Sequence, residues 1–269
     1  MPATPSTPAA LRNNVRVSGR GQPMMLVHGF GCDQAMWRFV TPAFEADYQV
    51  VLLDLVGAGG SDASAYDLKK YSRLQGYAAD ILEICEELDL RDVVFVGHSV
   101  SAMIGVLAAI EQPERFAKLV LVGPSPCYVN RGDYVGGFTQ ADIDSLLDFL
   151  DSNHLGWSST MAPVIMGTPD KPELSQELAN SFCRTNPDIA RHFARVTFHS
   201  DNRDDLPKAK TESLVLQCSH DAIAPDAVGE YVSTHLPNAH LVRLAATGHC
   251  PHLSAPAETI AAIKDFLDR

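Results

Sequence analysis

The run Phe95-Val96-Gly97-His98-Ser99-Val100-Ser101-Ala102-Met103-Ile104-Gly105 constrains this chain more than any other stretch. Its approach, Val93–Val96, is apolar and mostly β-branched, as a buried strand requires. Small and apolar residues follow Ser99 at once, so the sequence predicts a strand, a sharp turn at Ser99 and a helix from Val100 to about Glu111. Such a turn lifts a serine hydroxyl clear of the backbone. It also places the Val100 N–H at a helix start, where the dipole favours negative charge. A plainer reading of the same residues is a strand-to-helix turn with a serine N-cap.

The rest of the chain repeats this alternation. Strands are predicted at Val15–Val17, Met24–Val27, Val50–Leu53, Val93–Val96, Lys118–Val122, Leu214–Cys218 and Leu241–Leu244. The later ones are continuous apolar runs, as expected of parallel strands buried on both faces. Helices are predicted at Met36–Glu45, Leu74–Leu88, Ala102–Glu111, Asp226–His235 and Ala257–Leu267. The alternation implies an α/β fold with a mostly parallel, doubly wound sheet. With 269 residues, 46% of them hydrophobic, the chain can bury one large core. Residues 125–205 break the rhythm with helical stretches alone: Thr139–Leu150, Leu155–Met166, Glu173–Cys183 and Pro187–Phe198. An insertion between sheet strands reads as a helical lid over the carboxyl ends, where ligands of open α/β sheets bind. The expected division is therefore a disordered tail over 1–12, a core over 13–124 and 206–269, and the lid over 125–205.

Serine chemistry needs a base, an orienter for the base and donors for an oxyanion. His249 follows the last strand in Thr247-Gly248-His249-Cys250, and Asp221 follows the strand before it. The order Ser…Asp…His is that of α/β-hydrolases, whose serine turn is written G-x-S-x-G. Here the fifth position is Ser101, still a small side chain. His252, His220 and His98 compete with His249 as base, and Asp226 competes with Asp221, although its place beyond Pro225 also suits a helix N-cap. A second oxyanion donor is expected from His28-Gly29-Phe30-Gly31, where glycines let the backbone approach a carbonyl. The Phe30 and Val100 N–H groups are thus the predicted oxyanion hole. Phe30, His98, Phe138, Trp157, Met161, Phe193 and Val196 are the predicted pocket residues, with helix–helix packing the alternative for each lid position. Cys127 and Cys250 flank the site and read as packing residues. No metal or organic cofactor is implied, and a serine nucleophile argues against the dehalogenase and epoxide-hydrolase branches.

Net charge is −12 and no basic cluster exceeds Lys69-Lys70, which argues against nucleic acid or an anionic membrane as partner. Six scattered cysteines without C-x-x-C spacing suit a reducing compartment. The Pro/Ser/Thr-rich start lacks a secretory pattern, and no apolar run could span a membrane, so a cytoplasmic protein is expected.

Taken as a set, His28-Gly-Phe-Gly-Cys-Asp-Gln34, Asp54-Leu-Val-Gly-Ala-Gly59, Gly76-Tyr-Ala-Ala-Asp80, Val96 to Gly105, Gly123-Pro-Ser-Pro-Cys-Tyr128 and Thr247-Gly-His-Cys-Pro-His252 carry a family likeness. The chain resembles the RsbQ group of bacterial α/β-hydrolases and the related plant strigolactone and karrikin receptors, over nearly its whole length after residue 12. The resemblance implies a four-helix lid over a deep apolar pocket, and Ser99, Asp221 and His249 as the triad. It also implies hydrolysis of a small apolar ester or lactone in signalling or stress-response regulation, with a partner phosphatase carrying a sensory domain. A ligand-binding regulatory module with little turnover, and a metabolic carboxylesterase or C–C bond hydrolase, are the competing readings.

Overall fold

The computed structural model describes residues 7–269. In chain order the elements are α1 (Ala9–Arg12), β1 (Arg16–Gly19), β2 (Gln22–Val27), β3 (Tyr48–Leu53), α2 (Leu74–Glu87), β4 (Val93–His98), α3 (Val100–Glu111) and β5 (Phe116–Val122). Four helices follow: α4 (Gln140–Ser152), α5 (His154–Met166), α6 (Pro172–Arg184) and α7 (Pro187–Phe198). The chain closes with β6 (Glu212–His220), α8 (Asp226–His235), β7 (Ala239–Thr247), α9 (Pro251–Ser254) and α10 (Pro256–Leu267).

The seven strands form one sheet in the order β1-β3-β2-β4-β5-β6-β7. Only β1 runs antiparallel to its neighbour. The chain winds outward from β2 to β3, then returns to place β4 on β2's other side. Val27 and Gly97 therefore face each other at the carboxyl ends, at the switch point where α/β sheets open a crevice. The side-chain period of two sorts the core. Met25, Val27 and Phe95 pack with α2 and α3 on one face, while Met24, Leu26, Val94 and Val96 pack with Trp37 and α10 on the other. All six β4 residues are buried, as their apolar run predicts. β7 departs from its predicted burial: as the sheet's last strand it exposes Arg243 and buries only Leu244 of Leu241–Leu244.

Two further expectations are corrected. Met36–Glu45 is not one helix but two 3-10 turns, Gln34–Trp37 and Thr41–Ala43. Pro42 supplies no backbone N–H and restricts the residue before it, so a continuous helix is blocked. The predicted tail over 1–12 is ordered at its end, and residues 1–6 of that expectation lie outside the described ones. Ala9–Arg12 form a helical turn whose Arg12 is buried, bonding Asp80 at 2.7 Å and also Glu83. Asp80 is fully buried and takes Lys70 (2.6 Å) and Tyr71 (2.8 Å) as further partners. A buried carboxylate needs such partners.

Helices α4–α7 carry a separate apolar cluster, built on Leu147, Trp157, Leu178, Phe182 and Phe198, which also takes in Cys32, Tyr128 and Cys250 of the sheet layer. α4 begins with a capping box between Thr139 and Asp142, and Asn186 caps α7. Among the described residues no helix is long and apolar enough to cross a membrane.

Candidate active site

Ser99 occupies φ 57°, ψ −123°, a backbone region that costs a non-glycine residue energy and persists only where the surroundings enforce it. The enforcement is visible. The Ser99 N–H donates to Val122 O (2.8 Å), and the Ser99 carbonyl accepts from Ala102 N–H (2.9 Å). The Ser101 hydroxyl donates to the His28 carbonyl. That bond gives the departure from G-x-S-x-G a structural use: it ties the serine turn to the loop after β2. At Gly29 in that loop, a Cβ would lie 2.7 Å from the His98 ring, so only glycine allows this approach.

Three residues from three strand ends meet here. His249 Nε2 lies 2.7 Å from Ser99 Oγ, and His249 Nδ1 lies 2.7 Å from Asp221 Oδ2. Asp221 Oδ1 accepts the N–H groups of Ile223 (2.8 Å) and Ala224 (3.0 Å), which fixes the carboxylate plane. All three side chains are buried. The His249 backbone is clamped on two sides: its N–H donates to Ile165 O at the end of α5 (2.8 Å), and its carbonyl accepts from His98 Nε2 (2.8 Å). Gly248 enters this loop at φ +80°, where a Cβ would lie 1.8 Å from Met166 O. His249 is thereby fastened to the inserted helices as well as to the sheet.

The competing residues stand elsewhere. Asp226 pairs with exposed Arg243 (2.7 Å). His220 is exposed. His252 is fully buried with its ring 4.5 Å from the Trp37 ring, and neither ring nitrogen has a partner among the described residues. Burial, then the neighbouring His249 and Arg38, pushes His252 down to about 3. His98 is also held well below the ordinary histidine value, chiefly by burial and then by His252 and His249. Both rings therefore stay neutral near pH 7. Cys127 and Cys250 are buried thiols, and burial raises both. A thiol kept protonated is a poor nucleophile.

The Phe30 and Val100 N–H groups have no hydrogen-bond acceptor among the described residues. Both flank the serine turn, one from each side of the β2–β4 switch point. Free N–H groups so placed can receive charge developing on a carbonyl oxygen.

The cavity above Ser99 is apolar and tight, with only about 30 Å³ open to water. Phe30, His98, Trp157 and Met161 line it as predicted. Phe138, Phe193 and Val196 do not. Phe193 stands behind Phe30, its ring 4.6 Å from that of Tyr77. Val196 faces an outer groove beside Arg73 and His199. Phe138 bridges Val129 beneath α4. In their place Tyr128, Ile165, Leu178, Phe182, Phe198 and Ile223 complete the wall. Three of these carried a readable signal. Tyr128 follows a strand's carboxyl end, and Leu178 and Phe182 share one face of α6 at i, i+4 spacing. Burial beside Ser99 pushes the Tyr128 phenol up to about 12. A larger open groove of about 580 Å³ is lined by Arg16, Arg38 and Arg184 and contains none of Ser99, Asp221 and His249.

Comparison with known proteins agrees with this architecture. The model of the alpha/beta hydrolase family matches residues 24–263. A karrikin insensitive 2 receptor of Petunia hybrida is 40% identical over 246 residues, covering 91% of each chain. A strigolactone esterase of Arabidopsis thaliana is 38% identical over 258 residues, covering 95% of this chain and 96% of that one. The solved structure of a hydrolase from Oleispira antarctica superposes with a TM-score of 0.95 at 40% identity, over 97% of this chain and 96% of its own. The resemblance read from the motifs thus extends over nearly the full length, and the chain belongs to the alpha/beta hydrolase family.

Proposed function

We propose that this protein is a serine hydrolase that cleaves a small, largely apolar ester or lactone. Ser99 is the nucleophile, His249 the general base and acid, and Asp221 the residue that fixes the histidine tautomer. The observation that carries this reading is the unbroken relay Asp221–His249–Ser99, with both links at 2.7 Å beneath an apolar cavity. His249 Nε2 takes the Ser99 proton as Oγ bonds to the substrate carbonyl carbon. Asp221 stabilises the imidazolium that results. The Phe30 and Val100 N–H groups hold the oxyanion, each contributing about 3 kcal/mol of barrier lowering. The imidazolium returns its proton to the leaving alkoxide as the ester bond breaks. Water, deprotonated by the same histidine, then releases the acyl group and restores Ser99.

Residues 125–205 act as the lid and residues 13–124 and 206–269 as the catalytic core. The plant relatives named as a karrikin insensitive receptor and a strigolactone esterase support a butenolide-like lactone as ligand and a signalling role, which we place in the cytoplasm on the sequence reading. In this reading hydrolysis reports to a partner phosphatase carrying a sensory domain, as in the RsbQ group. A regulatory module with little turnover is the second reading. It is favoured by the tight free space of about 30 Å³, which must widen before a ligand larger than a water or two enters. Covalent trapping at Ser99, together with turnover of a butenolide lactone against simple aryl esters, tests the proposal. Fast multiple turnover of aryl esters alone would favour a metabolic esterase, and acylation without release would favour the module.

A further inference from the structure

Thr197 lines the cavity above Ser99 and is 1% exposed, yet its hydroxyl has no hydrogen-bond partner among the described residues. Threonine inside a helix ordinarily returns its hydroxyl to the carbonyl four residues back. Thr234 and Thr259 do so here, to Glu230 O at 2.9 Å and to Ala255 O at 3.1 Å. Thr197, on α7, forgoes the equivalent bond. Trp157 Nε1, on α5, is likewise buried at the cavity and without an acceptor. Much of the wall, Met161, Leu178, Phe182 and Phe198 among it, is apolar, and its polar members Ser99, Tyr128, His98 and His249 partner neither Thr197 Oγ1 nor Trp157 Nε1. A buried polar atom left unpaired is disfavoured and calls for a reason, of which an awaited ligand is one. An indole N–H only donates, so its missing partner is an acceptor; a threonine hydroxyl donates as well as accepts, so an acceptor oxygen on a ligand would satisfy it too.

Resting on the serine-hydrolase reading, we propose that Thr197 is a specificity-determining residue that binds a second oxygen of the substrate. The substrate is then an ester or lactone that carries an ether or carbonyl oxygen apart from the scissile group. Ser99 rises from the sheet and Thr197 hangs from the inserted helices, so this contact orients the substrate between the two layers.

The test uses two pairs of p-nitrophenyl esters, pentanoate against 3-methoxypropanoate and hexanoate against 4-methoxybutanoate. Within each pair one methylene becomes oxygen. Each kcat/KM is divided by the ester's own hydroxide-catalysed rate. The full-length protein should favour at least one methoxy ester by about tenfold. Thr197→Val, equal in shape but without the hydroxyl, should lose that preference, and Thr197→Ser should keep it. Ligand-free Thr197→Val should also melt no lower than the wild type, since it replaces an unpaired hydroxyl by a methyl. An unchanged preference in Thr197→Val, no preference in the wild type, or a clearly lower Tm for Thr197→Val would each overturn the assignment. If Ser99→Ala hydrolyses these esters as fast as the wild type, the hydrolase reading fails and this proposal falls with it. Intact hydrolysis without the preference removes Thr197 alone.

Discussion

Replacing Asp221 by asparagine should disable the protein without unfolding it, and the structure says why. The two carboxylate oxygens of Asp221 have different tasks. Oδ1 accepts the Ile223 and Ala224 N–H groups at 2.8 and 3.0 Å, and Oδ2 faces His249 Nδ1 at 2.7 Å. Asparagine has one oxygen, and two backbone donors demand that it stay at the Oδ1 position. Its NH₂ then points at His249 Nδ1, which must become the acceptor. The proton moves to Nε2, the nitrogen that faces Ser99 Oγ at 2.7 Å. A histidine in that tautomer cannot take the serine proton. The same change of tautomer in a Ser-His-Asp protease costs about 10⁴ in kcat. At roughly 1.4 kcal/mol per decade this is about 5 kcal/mol of transition-state stabilisation. The assay is steady-state hydrolysis of p-nitrophenyl acetate, with circular dichroism and Tm measured beside it. Asp221→Asn should lose about 10⁴ in kcat with a Tm close to wild type, because the turn at Ile223–Ala224 keeps its acceptor. Asp221→Ala should lose activity and stability together. A loss below about tenfold in a well-folded Asp221→Asn would refute the tautomer argument, since nothing else in the relay could replace that orientation.

Two further predictions concern stability. His252 is held neutral with a pKa near 3 against an ordinary value near 6.5, so between these limits the unfolded chain binds the extra proton and stability falls as pH falls, by about 1.4 kcal/mol per pH unit for this one group. His252→Phe keeps a ring against Trp37, so its urea-unfolding free energy should fall less steeply than wild type between pH 6 and pH 4, and parallel curves would contradict this. Arg12→Met should lower the unfolding free energy by about 3 kcal/mol, because buried Asp80 keeps Lys70 and Tyr71 but loses its most buried cation. A change below about 0.5 kcal/mol would return Ala9–Arg12 to the status of a tail.

Much of the fold was legible because buried parallel strands leave continuous apolar runs. All seven strands were found near their places, β4 most clearly because both of its faces are covered. The candidate site was legible because its residues stand just beyond strand ends, where the chain must turn and where small residues cluster. Ser99, Asp221 and His249 lie within hydrogen-bond distance in series, and the Phe30 and Val100 N–H groups have no acceptor among the described residues.

The cavity wall was harder to read, for a physical reason. A helix of the 125–205 insertion packs one apolar face on its neighbours and another on the cavity, and periodicity cannot say which is which. On α7, Phe193 and Val196 look as apolar as Phe198, yet only Phe198 reaches the cavity, and polar Thr197 lies beside it. Ser101 shows the opposite case: a departure from the pattern that the structure accounts for by one hydrogen bond to His28. Arg12 reads as part of a tail because its partners, Asp80 and Glu83, are distant in sequence. Nothing local marks a proline- and alanine-rich start as the anchor of a buried ion pair.

The proposed function turns on attack by Ser99 on a carbonyl carbon. Intact-protein mass spectrometry after brief incubation with p-nitrophenyl acetate, and separately with a butenolide lactone, tests it most directly. One acyl adduct is expected, mapping by peptide digestion to Ser99, absent in Ser99→Ala and persistent in a variant slow to deacylate. An adduct that survives Ser99→Ala, or that maps to Cys250 or Cys127, would contradict it.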